Sequence, residues 1–182
     1  PLDVEDFADP VALTVGLFCN WSLDTRRLST LLSERLDIAV IQSMDIPPPP
    51  AGIMALETDE GRVEIPLSEI KPLIPQSCFI CPDMTSEFSD LSVGMFEGQP
   101  GWNTLVIRSK PGARLVTSAC DEGYLETKEM PPESITQLTR AAGEKKARAL
   151  RMLIRRKLIN NENGKRSALR IPPDVVRKIL TY

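Results

Sequence analysis

Histidine is absent from this chain of 182 residues. Its absence excludes the commonest general base, the Ser-His and Cys-His nucleophile pairs, and every zinc site that uses a histidine ligand. Chemistry carried by the chain must therefore use cysteine thiolates, carboxylates, backbone donors or a bound cofactor. We expect no catalytic acid–base side chain.

Long hydrophobic runs and an excess of one charge are missing as well. No apolar run approaches the roughly 20 residues of a membrane-spanning helix, so we expect no membrane span. The 22 Lys and Arg residues stand against 25 Asp and Glu residues, a formal charge of −3. This balance gives no general attraction to nucleic acid or to an acidic membrane. The apolar fraction of 42% excludes a chain that is disordered throughout.

Short apolar runs separated by turn residues predict a mixed core. The expected strands are 13–18 (buried, and ending at Cys19), 38–46, 53–58, 62–65, 88–93 and 105–108. Ser22 or Asp24 is expected to cap a helix whose apolar face is formed by Leu28, Leu31, Leu32 and Leu36. A further helix is expected to open at Pro111-Gly112.

The last third of the chain has a helical pattern. One long amphipathic helix is predicted from Pro132 onward, and Pro172 and Pro173 open a final short helix that ends near Leu180. The predicted fold class is an α/β (mixed α+β) core with a long C-terminal amphipathic helical tail. We expect a cofactor-binding domain over residues 1–130 and a helical basic tail over 131–182.

Four cysteines are too few for a disulfide scaffold, but two of them form Cys78-Phe-Ile-Cys81. Two thiolates at this spacing reach one metal centre because the loop turns back between them. The motif lies between prolines and a strand, whereas redox disulfides of the thioredoxin type lie at a helix N-terminus. The pattern therefore favours a metal site in a cytoplasmic protein.

A Cys-x-x-Cys motif supplies half of a four-ligand site. Cys19, at the end of a predicted strand, is a candidate for a third ligand, whereas Cys120 is interpreted as a small core residue on a helix face. Composition does not separate a zinc site of four cysteines from an iron–sulfur cluster with one ligand outside this chain.

Three motifs in order resemble one known family. They are Gly16-Leu-Phe-Cys19, then Cys78-x-x-Cys-Pro-Asp-Met-Thr followed by Asp90-Leu-Ser-Val-Gly94, then Gly101-Trp-Asn-Thr104 before an apolar strand that ends in Arg. Over residues 10–160 the chain resembles the coenzyme F420 hydrogenase/dehydrogenase beta-subunit family. The family's Gly-Thr-Pro-Cys-Gln segment is absent, and we expect the chain to be the C-terminal part of a longer protein.

The resemblance implies an iron–sulfur flavoprotein oxidoreductase subunit that passes electrons between coenzyme F420 or another hydride carrier, FAD and a 4Fe–4S cluster. It implies other redox subunits of a hydrogenase- or dehydrogenase-type complex as partners, and cluster ligation by Cys19, Cys78 and Cys81. Ser92, Val93 and Gly94 are expected to form a turn whose amides approach the flavin or the cluster. Gly101, Trp102 and Thr104 are expected to line the same pocket, although core packing explains Trp102 equally well.

Two other functions remain open from the sequence. One is a structural zinc-binding or subunit-docking module without redox activity, in which Cys120 is a ligand. The other is nucleic-acid binding by a basic cluster on the long helix: Lys145, Lys146, Arg148, Arg151, Arg155, Arg156 and Lys157. A charge run of this kind is usually a solvated or docking face, and no aromatic residues interleave it. We therefore expect no nucleic-acid partner.

Overall fold

The computed structural model of the chain describes residues 11–47, 50–159 and 171–181, apart from the side chain of Pro173. Within these residues the elements are β1 (Val15–Leu17), α1 (Thr25–Ser33), β2 (Ile41–Asp45), β3 (Ile53–Thr58), β4 (Gly61–Pro66), α2 (Leu67–Ile70), β5 (Leu91–Met95), β6 (Asn103–Ile107), α3 (Lys110–Asp121), α4 (Pro132–Arg155) and α5 (Pro173–Leu180). The predicted mixed fold with a long C-terminal helix is confirmed.

The chain divides into two compact units. One, the insert, is Trp21–Ile80, and the other, the main unit, combines Pro1–Asn20 with Cys81–Tyr182. The helix α4 belongs to the main unit. The proposed boundary between a domain over 1–130 and a tail over 131–182 stays a prediction.

The insert is an antiparallel sheet covered by helix α1. Strand β3 lies between β2 and β4 and pairs with β4 from Ile53↔Pro66 to Thr58↔Gly61. Its apolar core consists of Leu32, Met54, Leu56, Ile65, Ile70 and Leu73. The Asp24 carboxylate caps α1 by accepting hydrogen bonds from the amides of Arg26 and Arg27, as predicted for that residue. The first part of the strand expected over 38–46 is instead a 3₁₀ turn, Ile38–Val40.

The main unit contains a second three-stranded sheet with β5 at its centre. Strand β1 pairs parallel to β5, and β6 pairs antiparallel to it. The strand expected to be buried, β1, is at the sheet edge, and Val15 and Leu17 are 56% and 71% exposed. The prediction of burial was wrong because a run of apolar residues does not reveal whether a strand is central or at an edge.

Residues Ser92, Val93 and Gly94 lie on the central strand and not in a turn. Gly94 pairs with Thr104, and a Cβ atom at Gly94 would lie 1.9 Å from the Phe18 ring. The glycine thus permits a close approach of an aromatic ring to the sheet. The predicted turn is wrong, because glycine indicates close packing here and not a reversal of the chain.

Helices α3, α4 and α5 complete the main unit. The Ser109 hydroxyl caps α3 by accepting a hydrogen bond from the Gly112 amide at 3.2 Å. Helix α4 buries Ala147, Ala149, Leu150 and Leu153, whereas Ile135 and Ile154 of its predicted apolar stripe are 50% and 40% exposed. The final helix, α5, confirms the prediction made from its two prolines.

Candidate functional site

Two of the three predicted thiolate ligands lie in the main unit. Cys19 follows β1 and is exposed, Cys81 is half-buried, and no disulfide involves either. The Cys19 amide donates to the Met84 carbonyl oxygen at 2.8 Å, and the Cys81 thiol donates to the Asp83 carbonyl oxygen at 3.6 Å. The segments that carry the two cysteines therefore run side by side.

Lys145 of helix α4 joins the same two segments. Its Nζ atom donates to the carbonyl oxygen of Cys19 at 2.5 Å and to that of Asp83 at 2.7 Å. The Lys145 side chain is only 3% exposed, whereas Cys19, whose carbonyl oxygen accepts one of the two bonds, is an exposed residue. Sequence analysis placed Lys145 on a solvated basic face, and the structure corrects this. The ammonium group thus links the segment after β1 to the segment before β5 through two backbone carbonyl oxygens.

The third predicted ligand, Cys78, lies in the insert. It falls within the 3₁₀ turn Gln76–Phe79, and its sulfur is 3.3 Å from the Ser22 hydroxyl. Among the residues that the structure describes, no three Cys, Asp or Glu side chains are grouped so that they would hold a metal ion. Ligation of a cluster by Cys19, Cys78 and Cys81 therefore stays a prediction. Cys120 is half-buried on α3, with its sulfur 3.9 Å from the Thr127 hydroxyl.

The residues expected to contact a flavin lie along β5, β6 and the turn between them. Ser92 is fully buried and Thr104 is 7% exposed. Gly101 has a φ of +81°, a left-handed conformation that glycine tolerates, and Trp102 follows it. Lys128 places its Nζ atom 3.8 Å from the centroid of the Trp102 ring, so one face of the ring already carries a cation–π contact.

Thr104 borders a small cavity of about 90 Å³ that is also lined by Phe18, Met84 and Leu138. Cofactor and small-molecule pockets usually have volumes of about 300–1,000 Å³, so this cavity does not accommodate a whole flavin nucleotide. The expected flavin contacts of Ser92, Val93, Gly94, Gly101, Trp102 and Thr104 stay a prediction.

A much larger cavity in the main unit was missed by sequence analysis. It has a volume of about 690 Å³ and lies among the segment before β5, strand β6 and helices α4 and α5. Its lining residues are Thr85, Glu87, Val106, Arg108, Leu138, Thr139, Ala142, Gly143, Lys146, Val175, Lys178, Ile179 and Thr181. The arginine at the end of an apolar strand was part of the motif pattern, and it was the one available signal for this cavity.

Arg108 is held rigidly at the cavity wall. Its Nη1 atom donates to the buried Ser92 hydroxyl at 2.8 Å, and its Nη2 atom donates to the Thr85 carbonyl oxygen at 2.8 Å and to the Thr85 hydroxyl at 3.0 Å. All three acceptors are neutral. The Ser92 hydroxyl thus orients a cationic side chain, and the expected approach of the Ser92 backbone to a cofactor stays a prediction.

Asp90 connects the start of β1 with the end of β6. Its carboxylate accepts hydrogen bonds from the Ser109 hydroxyl at 2.5 Å and from the amide and hydroxyl of Thr14 at 2.8 and 2.9 Å. The bond from Ser109, and then those from Thr14, lower the pKa of Asp90 below its ordinary value of 3.8. The ionised carboxylate thus helps fix the edge of the sheet from which Arg108 projects.

The fold and this cavity define a class of mixed α/β protein with a ligand-sized, cation-lined pocket beside a small sheet. Within the described ranges, no helix combines the length and the apolar character needed to span a membrane. The chain belongs to the family described as the C terminus of the coenzyme F420 hydrogenase/dehydrogenase beta subunit, whose pattern matches residues 3–133. The resemblance found in the sequence is thereby confirmed.

Two similar proteins have F420 in their names. The chain is 28% identical over 162 residues to the coenzyme F420 hydrogenase subunit beta of Methanothermobacter thermautotrophicus, covering 86% of this chain and 56% of that protein. It is 29% identical over 122 residues to a subunit of the F420H2 dehydrogenase of Methanosarcina mazei, covering 65% of this chain and 34% of that protein. The chain therefore spans about half of the length of the first relative and about a third of the length of the second.

A solved structure has a similar fold. A chain of the F420-reducing [NiFe] hydrogenase complex from Methanosarcina barkeri superimposes with a TM-score of 0.71 and 28% identity. The match covers 81% of this chain and 51% of that chain.

Proposed function

We propose that this chain is part of an oxidoreductase subunit that exchanges electrons with coenzyme F420 within a multi-subunit complex. The observation that carries the proposal is what the relatives share. One belongs to a hydrogenase and the other to a dehydrogenase, so their electron partners differ, while F420 appears in both names. The region that they have in common with this chain is therefore assigned to the F420-linked part of the reaction.

The second part of the proposal concerns the cofactors. We infer that the full-length subunit binds FAD and a 4Fe–4S cluster, as the motif resemblance implies. When bound, a flavin supplies the conversion between two-electron hydride transfer and single-electron transfer. Such a reaction needs no acid–base side chain, which suits a chain without histidine.

The cysteines of this chain supply part of a cluster site. Thiolates are the usual protein ligands of a 4Fe–4S cluster, and four of them hold it. Cys19 and Cys81 are thiols on adjacent segments that Lys145 connects, which supports their assignment as two ligands. We propose Cys78 as a third, and the fourth is unassigned. The described residues contain no complete metal site.

The direct test uses the full-length gene product, purified anaerobically with its complex. Reduced viologen is supplied as the electron donor, and the loss of visible absorption by oxidised F420 is followed. We expect F420 to be reduced at a rate that depends on enzyme concentration, and NAD or NADP to be inactive under the same conditions. Reduction of a nicotinamide cofactor without reduction of F420 would overturn the proposal.

A further inference from the structure

The C-terminal half of helix α4 carries a row of exposed arginines. Arg148, Arg151 and Arg155 are all exposed, and they lie on the same side of the helix because residues three and four positions apart are neighbours there. The row is about 10 Å long, since a helix rises by about 1.5 Å per residue. We call these three residues the arginine row. They present three positive charges to solvent on one side of the main unit.

The arginine row has no counter-charge in the part of the chain that the structure describes. Arg148 donates to the neutral amide oxygen of Asn20 at 3.2 Å, and Arg151 and Arg155 take part in none of the ion pairs. Like charges at these spacings repel each other. The helix dipole stabilises Arg155 in the last turn, but its effect does not reach back to Arg148 and Arg151. Binding of an anionic partner would therefore relieve the repulsion within the row.

The arginine row begins beside the exposed Cys19. Asn20, which accepts the hydrogen bond from Arg148, directly follows Cys19 in the chain. Lys145 of the same helix donates to the Cys19 carbonyl oxygen at 2.5 Å, so helix α4 is fixed against this segment by two side chains. Cys19 is itself exposed. A protein that covers the row therefore reaches the edge of the main unit at which a cluster ligand is proposed.

The charges next to the row favour a protein over a uniform polyanion. Glu144, one turn before Arg148, lies on the same side of the helix and pairs with Arg140 at 2.9 Å. Nucleic acid carries negative charge along its whole length and would be repelled at this carboxylate. Binding to a membrane surface would need an exposed apolar side, but helix α4 buries Leu150 and Leu153 within the fold. A protein surface can place carboxylates opposite the row and other groups opposite Glu144.

We propose that the arginine row docks the acidic surface of another protein subunit of the complex, whose Asp and Glu side chains face Arg148, Arg151 and Arg155. The proposal rests on the proposed function, which supplies the complex, and adds which surface of this chain meets the partner. A charged contact of this kind speeds association and aligns the two proteins. It places the partner at the Cys19 edge of the main unit.

The first experiment measures the association of the full-length subunit with the other subunits of its complex by surface plasmon resonance. The double variant Arg151→Gln with Arg155→Gln removes two charges of the row. We expect its association rate constant to fall about tenfold at low ionic strength, and the difference to shrink as salt is added. The matched control combines Lys110→Gln with Arg114→Gln, because these are exposed cations four residues apart on helix α3 of the same unit. Its rate constant should equal that of the unmodified protein.

The second experiment identifies the groups that face the row. Arg151→Lys keeps the positive charge and supplies a primary amine. A carbodiimide reagent joins such an amine to a nearby carboxylate as an amide, with loss of one water molecule taken up by the reagent. We expect mass spectrometry of the treated complex to find a bond from position 151 to an Asp or Glu of another subunit. Treatment with nuclease beforehand should not change this result.

Failure of the docking proposal and failure of the proposed function are separate outcomes. Reduction of F420 by reduced viologen needs no docked protein, so the double variant of the row should match the unmodified subunit in that assay. Absence of F420 reduction in both would remove the proposed function and leave the binding result intact. Equal association of the double variant and the unmodified protein, an equal loss in the α3 control, or binding that nuclease abolishes would overturn the docking proposal.

Discussion

The Lys145 ammonium donates a hydrogen bond of 2.5 Å to the backbone carbonyl oxygen of Cys19, 126 positions earlier in the chain. The same nitrogen donates to the carbonyl oxygen of Asp83 at 2.7 Å. One buried side chain of helix α4 thus fixes the two segments that carry Cys19 and Cys81. Stability and any binding at these thiols should therefore depend on a residue that is itself not a ligand.

Replacing Lys145 by Met should destabilise the folded protein. The change leaves the carbonyl oxygens of Cys19 and Asp83 without their charged donor, and we expect the free energy of unfolding to fall by roughly 2 kcal/mol. Lys146→Met, one residue away, is the matched control. Lys146 forms a partly exposed ion pair with Glu87, so its loss should cost less than about 1 kcal/mol. Denaturant unfolding of the full-length protein measures both values, and equal losses would refute the role given to Lys145.

Serine substitutions separate the cysteines by role. Under anaerobic reconstitution the full-length protein should bind about four irons per cluster, and Cys19→Ser, Cys78→Ser and Cys81→Ser should each lower the iron content. Cys120→Ser should leave it unchanged, because we interpret Cys120 as a packed helix residue. Stoichiometric zinc without iron, lost in Cys120→Ser, would instead support the structural zinc module.

Replacing Gly94 by Ala should destabilise the folded protein because the added methyl group clashes with the Phe18 ring. The added Cβ would lie 1.9 Å from the Phe18 ring, so the ring or the central strand must move. We expect a loss of about 1–3 kcal/mol, the usual range for overpacking. A double-mutant cycle with Phe18→Ala tests the cause, since removal of the ring should abolish most of the penalty. Additive losses in the cycle would mean that Gly94 is required for another reason.

The pH dependence of stability should show a contribution from Asp90. Its pKa in the folded state is lowered by hydrogen bonds from Ser109 and Thr14, so these bonds stabilise the fold at pH values above the ordinary value of 3.8. That stabilisation is lost as the pH falls through the lowered pKa. Asp90→Asn should therefore flatten the dependence of unfolding free energy on pH in this window.

Direct titration of the Asp90 carboxyl by NMR provides the second measurement for this prediction. Its midpoint in the folded protein should lie below 3.8, and Ser109→Ala should move it upward. A midpoint at or above 3.8 in the unmodified protein would contradict the assignment of these hydrogen bonds.

Features set by neighbouring residues were predictable from the sequence. Asp24 and the spaced leucines after it indicated helix α1, and the structure confirms the cap and the burial of Leu32. The strands expected over 53–58 and 62–65 are confirmed as β3 and β4. Each of these signals acts between residues a few positions apart, so the local sequence is enough to determine the cap or the strand.

Features set by distant residues were not predictable in the same way. Gly94 suggested a turn because glycine favours reversals, but its role depends on the Phe18 ring, which reaches it through the fold. Lys145 belonged to a basic run and was assigned to the solvent, but its carbonyl partners lie 126 and 62 positions away. Arg108 and Lys178 likewise line one cavity only because β6 and α5 lie near each other.

The order of strands in the main unit has a consequence for how the protein is made. Thr14 hydrogen-bonds to Asp90, 76 positions later in the chain, and the segment between them contains the whole insert. The Cys19 amide, just before the insert, donates a hydrogen bond to the Met84 carbonyl oxygen, just after it. The hairpin and helix of the insert use short-range contacts and are available as soon as they emerge from the ribosome. The sheet that includes β1 must wait for β5, so closure over a long segment is expected to limit the rate of folding.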